Sequence, residues 1–282
     1  MNNIISNENL SVEIHSKGAE LIQIKQNKNN YIWDVDTKFW NKTSPILFPI
    51  VGRLKKDTFS INNASYTLGR HGFARDYEFK IIDQKESTIE FLLTENSITL
   101  QAYPFQFDLK LKYSLEKNSL SLQYTVINNS DTIMPFSIGA HPAFAIDFSK
   151  NDYQILFDSD AELVTHALEN EQFSGETTKI PLDNQILPLS YSLFEKDALV
   201  FKNISSRSLT IFENGNPYLK IHLGNFPHLG IWTKAEAPFL CIEPWFGYAD
   251  SLKSDGNILN KEAIQTLAPN DKFECSFRIE IL

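Results

Sequence analysis

The sequence predicts an all-β protein, a single large antiparallel β-sandwich over residues 1–282. Apolar and polar residues alternate with a period of two in many segments, which is typical of strands that bury one face. Aromatic residues are abundant, with 21 Phe and 10 Tyr, and they favour pleated sheets over helices. No segment shows a long amphipathic helical pattern. Because all-β sandwiches often reach this length undivided, the chain is expected to form one domain.

The clearest predicted element is a hairpin near the middle of the chain. Every odd position from 105 to 115 is apolar, and so is every even position from 120 to 126. The polar residues Glu116–Ser119 lie between the two runs and predict the turn. The same alternation predicts further strands at Ser11–Ile14, Thr88–Leu93, Leu209–Phe212, Tyr218–Leu223 and Phe273–Ile281.

The remaining segments predict turns and connections. Clusters of Asn, Ser, Asp, Gly and Pro at Asn128–Asp131 and Asn214–Pro217 are typical of turns between strands. One short helical turn is expected at Asp34–Trp40 and another at Lys261–Ile264. The polar stretch 158–190 is expected to form long connections.

The composition excludes several classes of partner. The net charge is −9 and the isoelectric point is about 5.2, so the surface repels nucleic-acid phosphates and anionic membranes. No run approaches the roughly 18 apolar residues of a membrane span, and the first residues lack a signal-peptide pattern. A cytoplasmic location is the resulting expectation. Cys241 and Cys275 are too few for a disulfide framework and are expected as buried thiols.

His141 and Glu243 are the strongest candidates for chemistry. Each is an ionisable side chain in an apolar, strand-like segment, and each is followed directly by a proline. Because proline biases the preceding residue toward extended backbone, both are predicted at strand ends. A carboxylate and an imidazole that face each other across a cavity form a base and an acid near neutral pH. The competing interpretation is a hydrogen-bonded structural His and a surface Glu.

Polar and aromatic residues also concentrate in three further segments, at 44–54, 70–76 and 230–247. Pockets for small molecules typically combine aromatic walls with a few polar groups. Trp faces stack on the apolar C–H faces of sugars, and Arg and His side chains bind sugar hydroxyls. The candidate binding residues from these segments are Arg53, His71, Arg75, Trp232 and Trp245.

Other chemistries have weaker support. His71, His141 and Glu243 offer ligand atoms for zinc, but no HxH, HExxH or CxxC spacing accompanies them, so no metal is predicted. The chain has neither a GxSxG nucleophile elbow nor a glycine-rich phosphate loop. A glycosidase needs two carboxylates, and Glu243 with Asp197 or Asp250 keeps that alternative open.

The order of several short motifs resembles the aldose 1-epimerase (galactose mutarotase) superfamily. The resemblance covers the chain from about residue 10 to its C-terminus. The form His71–Arg75 is similar to the branch that includes LacX-like proteins and hexose-6-phosphate mutarotases, and the block Ile231–Trp245 looks most like LacX-like proteins. The motifs in chain order are Gly52-Arg53, His71-Gly72-Phe73-Ala74-Arg75, His141-Pro142-Ala143-Phe144 and Glu243-Pro244.

The resemblance implies a galactose mutarotase-like β-sandwich, called a supersandwich, with a sugar pocket on one sheet. It implies Glu243 as the general base, His141 as the general acid, and no cofactor. His71 matches the first sugar-binding His of the family. Arg53 matches the Arg of the family's Asn-Arg-Ile segment, although Gly52 replaces the Asn.

The resemblance also assigns Asp197 to a family Asp that binds sugar hydroxyls. The family pattern has a polar His or Asn after this Asp, whereas Ala198 follows it here. The longer His-Gly-Gly form of the family is absent as well, which leaves galactose in question as the substrate. The implied partner is a small-molecule sugar, and a homodimer is a compatible assembly.

These residues predict a mutarotase that interconverts the α and β anomers of an aldose by general acid–base ring opening. The alternative is a non-catalytic sugar-binding protein of the same fold, because a fold does not determine a function. A paired base and acid predict a bell-shaped pH profile, whose lower limb would belong to the carboxylate and whose upper limb to the imidazolium.

A local excess of basic residues raises the alternative of a hexose 6-phosphate as substrate. The segment 53–75 contains five Lys and Arg residues and one acid, Asp57. Arg side chains bind phosphate groups well, and Arg75 is the main candidate because it follows His71 by four residues in a glycine-containing loop. The competing interpretation is a solvated hairpin, and a free aldose is slightly favoured over its 6-phosphate.

Overall fold

The computed structural model describes residues 1–282 and consists mainly of antiparallel strands. The strands of the first half are β1 (Asn2–Ser6), β2 (Ser11–His15), β3 (Glu20–Gln26), β4 (Asn29–Asn30), β5 (Thr58–Ile61), β6 (Ala64–Thr67), β7 (Lys80–Lys85), β8 (Thr88–Thr94), β9 (Phe107–Glu116), β10 (Ser119–Asn128), β11 (Met134–Phe136) and β12 (Ile138–Gly139).

The second half of the chain also consists mainly of strands. Its strands are β13 (Ala143–Ala145), β14 (Tyr153–Phe157), β15 (Glu162–Glu169), β16 (Gln172–Pro181), β17 (Ile186–Pro188), β18 (Leu199–Phe201), β19 (Ser208–Glu213), β20 (Asn216–His222), β21 (His228–Trp232), β22 (Phe239–Phe246), β23 (Gln265–Leu267) and β24 (Lys272–Ile281). Helical structure is limited to α1 (Thr99–Ala102) and four 3₁₀ turns at Lys55–Asp57, Ala74–Asp76, Tyr191–Phe194 and Ile258–Asn260.

The larger layer is a nine-stranded sheet with the order β17-β14-β19-β20-β24-β10-β9-β8-β7. It contains the predicted hairpin β9–β10, in which Glu116 pairs with Ser119 and leaves a two-residue turn. The odd positions of β9 and the even positions of β10 through Val126 are buried, as the alternation predicts. All five additional predicted strands also form, within one or two residues of their expected ends.

The second layer combines two smaller sheets. One has the order β12-β22-β21-β18 with β13 also paired to β22, and the other has the order β1-β2-β3-β4. A cluster of 64 buried hydrophobic residues draws on the inner faces of both layers and extends from Ile5 to Ile281. The phenolic hydroxyl of Tyr113 on β9 donates to the carbonyl of Ala19 over 2.6 Å and links the layers. The predicted all-β antiparallel sandwich is therefore confirmed.

The stretch 158–190 differs from the prediction of long connections. Most of it forms a hairpin of β15 and β16, which pair only with each other. Because neither face of a two-stranded ribbon is covered along most of its length, its residues need no strict apolar alternation. Periodicity therefore could not reveal these strands.

Each of the two predicted helical turns forms as a single isolated turn. At Asp34–Trp40, the backbone N–H of Trp40 donates to the carbonyl of Asp36 over 3.1 Å, which closes one turn. At Lys261–Ile264, the N–H of Ile264 donates to the carbonyl of Lys261 over 3.3 Å. Both segments are too short to nucleate a stable helix in isolation.

The prediction that Glu243 ends a strand is wrong. Glu243 lies inside β22, which continues through Pro244 to Phe246. A proline removes one ladder donor but is compatible with extended backbone, and the carbonyl of Pro244 still accepts the N–H of Ala140 over 3.1 Å. His141 does follow a strand end, because it lies between β12 and β13.

No helix in the structure is long and apolar enough to cross a membrane.

Candidate active site

A cavity of about 330 Å³ lies on the face of the β12-β22-β21-β18 sheet that points away from the main core. This volume falls within the roughly 300–1,000 Å³ that is usual for small-molecule sites. The cavity wall includes six of the residues singled out from the sequence, namely His71, Arg75, His141, Trp232, Glu243 and Trp245.

Glu243 reaches the cavity through the alternation of β22. Leu240 and Ile242 join the main hydrophobic core, so Cys241 and Glu243 point to the opposite face. Gly230 stands directly across from Glu243 on β21 and contributes no side chain to the cavity. The carboxyl group is only 2% exposed, which places an ionisable group in a site of low polarity.

His141 contacts Glu243 directly. Its Nε2 atom lies 3.2 Å from Oε2 of Glu243. The imidazole is held among aromatic rings, with centroid distances of 4.9 Å to Trp40 and 5.8 Å to both His71 and Trp232. The structure thus brings together the two residues that the sequence suggested as a base and an acid, and it confines both in an aromatic enclosure.

Burial shifts the two groups in opposite directions. It raises the pKa of Glu243 well above its usual value, with the charge of Asp197 adding to the rise and that of Arg70 opposing it. It lowers the pKa of His141 to about 3, with Arg70 and Arg75 adding to the fall. Both shifts have the same physical cause, because low polarity disfavours the charged form of each group. Over a wide pH range the pair therefore holds one proton between them.

We expect the pH dependence of kcat/KM to reflect this shared proton. Below about pH 3 His141 and Glu243 are both protonated, so the pair contains no base. Above the raised pKa of Glu243 both groups have lost the shared proton, so the pair contains no acid. The activity should stay level through pH 4.5 and pH 6.5, the ordinary values for Glu and His. Anomer exchange measured across this range checks the expectation, and a limb at either ordinary value would contradict it. The limbs are thus assigned in the reverse order from the sequence-based expectation.

His71 is fixed as a neutral hydrogen-bond donor. Its Nδ1 atom accepts the backbone N–H of Gly52 over 3.1 Å, so the proton of the neutral ring is on Nε2. Burial lowers the pKa of His71 well below its usual value, and the charges of Arg70 and His141 add to this effect. The His71 backbone N–H in turn donates to the carbonyl of Gly52 over 2.8 Å. These two bonds join the irregular segments 44–54 and 70–76 beside the cavity.

Trp245 lies across two glycines on the neighbouring strands. A Cβ atom at Gly139 or at Gly230 would come within 2.4 Å of the indole ring. Only glycine leaves room for the ring to lie flat over β12 and β21 at these positions. The sheet therefore provides an aromatic wall of the cavity, to which Trp232 also contributes.

The cationic side chains differ from the sequence prediction. Arg53 does not line the cavity. Its guanidinium makes two hydrogen bonds to Asp57, at 2.8 Å and 2.7 Å, and a third to Glu171 at 2.8 Å. Arg70, which was not among the candidate binding residues, lines the cavity together with Lys234. An isolated sequence does not show which of several nearby arginines turns inward, because Glu171, the acid partner that Arg53 and Arg70 share, is remote in the chain.

Asp197 also lies outside the cavity wall, where its neighbour Ala198 is found instead. Its carboxylate accepts the N–H of Ala198 over 2.7 Å. Asp250, the other proposed second carboxylate of a glycosidase, is buried in an ion pair with Lys261 at 2.9 Å. Asp250 is thus committed to an ion pair, and Asp197 acts on Glu243 through its charge from outside the cavity wall.

Several residues of the cavity wall were not among the candidate binding residues, including Trp40, Glu171 and Lys234. Trp40 ends a predicted turn, and Lys234 lies in the polar and aromatic segment 230–247, so their positions in the sequence held a weak signal. Glu171 lies in the polar stretch that was interpreted as a connection. Its place in the site arises only from the pairing of β15 with β16.

One cluster has the residue types of a metal site. The ligand atoms of His141, Cys241 and Glu243 all lie within 4.8 Å of one another. Burial raises the pKa of the Cys241 thiol well above its usual value, and the nearby Glu243 adds to this. His71, the other histidine considered as a zinc ligand, is not part of this cluster. Two members of the cluster, His141 and Glu243, are also the pair that can exchange a proton.

Comparison with known proteins agrees with the fold. A family model described as aldose 1-epimerase matches residues 2–263. The chain is 33% identical to the chromosomal protein LacX of Lactococcus lactis subsp. lactis, covering 99% of this chain and 98% of that protein. The chain therefore belongs to the aldose 1-epimerase family.

Solved structures show the same architecture. A galactose mutarotase related enzyme from Lactobacillus acidophilus has a TM-score of 0.95 and 29% identity, over 100% of this chain and 97% of that one. A galactose mutarotase-like protein from Lactobacillus casei ATCC 334 also has a TM-score of 0.95, with 28% identity over the full length of both chains. The predicted family resemblance and the galactose mutarotase-like fold are confirmed.

Proposed function

We propose that this protein is a mutarotase that interconverts the α and β anomers of an aldose without a cofactor. The observation that carries the proposal is the 3.2 Å contact between Nε2 of His141 and Oε2 of Glu243 in a small aromatic cavity. The anomeric O1 and the ring oxygen O5 of an aldose are both bonded to C1. They are close enough to each other for one to reach each member of this pair at a hydrogen-bond distance of about 2.6–3.2 Å.

Ring opening requires the pair in its charged form, with the proton on His141. Glu243 removes the proton from O1, and the electrons of that O–H bond form the C1 carbonyl. The C1–O5 bond breaks, and its electrons take the proton from His141. Rotation about C1–C2 then presents the other face of the carbonyl, and reclosure runs the same transfers in reverse.

The pair can reach its charged form within the site. Burial favours the proton on Glu243 and a neutral imidazole, which is the form at rest and also the form after ring opening. Because Oε2 and Nε2 are in direct contact, the proton can pass from Glu243 to His141 before ring opening without leaving the site. His71 offers a neutral Nε2–H donor to a ring oxygen or hydroxyl, and this donor does not depend on pH near neutrality.

Measurement of anomer exchange by NMR on a panel of aldoses tests the proposal. Acceleration above the buffer rate for at least one aldose is the expected result. The same samples should be titrated by calorimetry, because a non-catalytic sugar-binding protein would bind a sugar without accelerating exchange. Binding without acceleration for every aldose would overturn the proposal and support that second function.

We expect the free aldose to be preferred over its 6-phosphate, with Arg75 acting as a structural residue as well as a wall of the cavity. Arg75 donates to the carbonyl of Arg70 over 2.8 Å, and this bond holds the loop that carries His71. Arg75→Ala should therefore reduce stability by about 1 kcal/mol and lower kcat/KM for glucose and glucose 6-phosphate alike.

The control for Arg75→Ala is Lys56→Ala, since Lys56 belongs to the same basic segment and is exposed outside the cavity. Exchange rates for both sugars, with thermal unfolding of each variant, complete the comparison. A wild-type preference for the 6-phosphate that disappears in Arg75→Ala would show that Arg75 binds phosphate and that the expected order of substrates is wrong.

A further inference from the structure

Glu171 occupies an unusual position for an acidic side chain. It is the second residue of the two-residue turn that joins β15 to β16, where Glu169 pairs with Gln172. Its φ is +65°, and Gly is the usual residue at this position of such a turn. The turn places its carboxylate on the wall of the cavity.

The Glu171 carboxylate binds two guanidinium groups at once. One oxygen accepts from Arg70, and the other accepts from Nη1 of Arg53 over 2.8 Å. Arg53 already makes two hydrogen bonds to Asp57. The charge of Glu171 therefore mainly offsets Arg70, whose only ion pair is with Glu171.

Among the cationic side chains, Arg70 has the strongest electrostatic effect on His141 and Glu243. Its charge acts on both His141 and Glu243, and it lines the same cavity. An anionic group of a ligand is expected to bind this guanidinium, because Arg can donate two parallel N–H hydrogen bonds to the oxygens of a phosphate or carboxylate. With Glu171 in place, such a group must displace a bound carboxylate and approach its negative charge.

We propose that Glu171 determines the charge class of the substrate by holding Arg70 in an internal ion pair, so that the cavity accepts uncharged aldoses and disfavours anionic sugars. This inference rests on the proposed mutarotase function for its substrate, but the charge effect itself is a property of the cavity. It also gives a physical reason for the expected preference for a free aldose despite the basic segment 53–75.

The first test is Glu171→Gln. The chain already tolerates this residue in the same geometry, because the turn Asn184-Gln185 has φ values of +50° and +65°, as Asn170-Glu171 does. The affinity for inorganic phosphate, measured by calorimetry, should rise about tenfold or more when one unit charge beside the site is removed. The ratio of kcat/KM for glucose 6-phosphate to that for glucose should rise by a similar factor.

Glu162→Gln is the matched control. It removes the same charge from the other end of the same hairpin, where Glu162 pairs with Lys179, and it should change neither quantity. Adding Arg70→Met to Glu171→Gln should cancel the gained phosphate affinity. Glu171→Gly supplies a second variant whose residue suits the positive φ, and it should show the same gain.

The proposal is overturned if phosphate affinity is unchanged in both Glu171 variants, or if Glu162→Gln produces an equal rise. Failure of the proposed function is recognised separately. If the wild type accelerates no aldose, the mutarotase assignment fails, while the calorimetric comparison with inorganic phosphate still decides whether Glu171 controls the charge of the cavity.

Discussion

Replacement of Glu243 by Gln should lower kcat for anomer exchange by roughly 10²- to 10⁴-fold, the usual contribution of one general acid–base group. The amide has nearly the same shape, so it preserves packing in the cavity but cannot accept the O1 proton. His141→Asn should have a comparable effect because it removes the proton donor to O5. Sugar binding, measured by calorimetry, should survive in both variants better than the rate does.

The two residues are expected to act as a unit. The double variant should therefore lose little more activity than either single variant, as is found for groups that share one step. The structure offers a control in the pair His222–Glu280, at 2.8 Å on the larger sheet and outside the cavity. Glu280→Gln should leave the rate unchanged. Full activity in Glu243→Gln, with a folded protein, would remove the basis of the acid–base assignment.

The largest effect on stability is expected at Lys261. Its ammonium group donates to the carbonyl of Tyr248 and to Oδ1 of Asp250, and both charged side chains are at most 3% exposed. The other carboxylate oxygen of Asp250 accepts the backbone N–H of Lys55 over 2.9 Å. Lys261→Met should destabilise the protein by about 3–5 kcal/mol, because it leaves the buried carboxylate of Asp250 without a charged partner.

Urea unfolding gives this free energy, with Lys179→Met as the comparison. Lys179 pairs with Glu162 on the surface, and loss of an exposed pair changes the free energy of unfolding by only about 0–1 kcal/mol. Adding Asp250→Asn to Lys261→Met should recover part of the loss, since the unpaired charge is then absent. Equal losses in the buried and surface variants would contradict the role given to the buried pair.

Much of the fold was predictable because its largest sheet buries one face. In β9 and β10 each apolar side chain alternates with a polar one, so periodicity shows both the strands and their inner face. The same reasoning fails for β22, which is buried at seven consecutive positions and has no polar face to read. It also fails for β15 and β16, whose exposed ribbon lacks a consistent apolar side.

The candidate site was predictable where a residue's chemistry was itself unusual for its surroundings. An ionisable residue in an apolar, strand-like segment is rare, and this is why His141 and Glu243 could be paired before any geometry was known. The arginines offered no such contrast. Arg53 and Arg70 are both polar residues in irregular segments, and their sequence surroundings do not show which one faces the cavity.

The sequence by itself determined that the chain forms an antiparallel sandwich and singled out a carboxylate and an imidazole as its candidate reactive groups, because both conclusions depend on local patterns. Only the tertiary structure decided the charge and polarity around those groups. Glu171 reaches Arg53 across 118 positions of the chain and Arg70 across 101. The low polarity that shifts the pKa values of Glu243 and His141 comes from Trp40, Trp232 and other residues remote in sequence. Such contacts depend on strand order and register, which no local pattern contains.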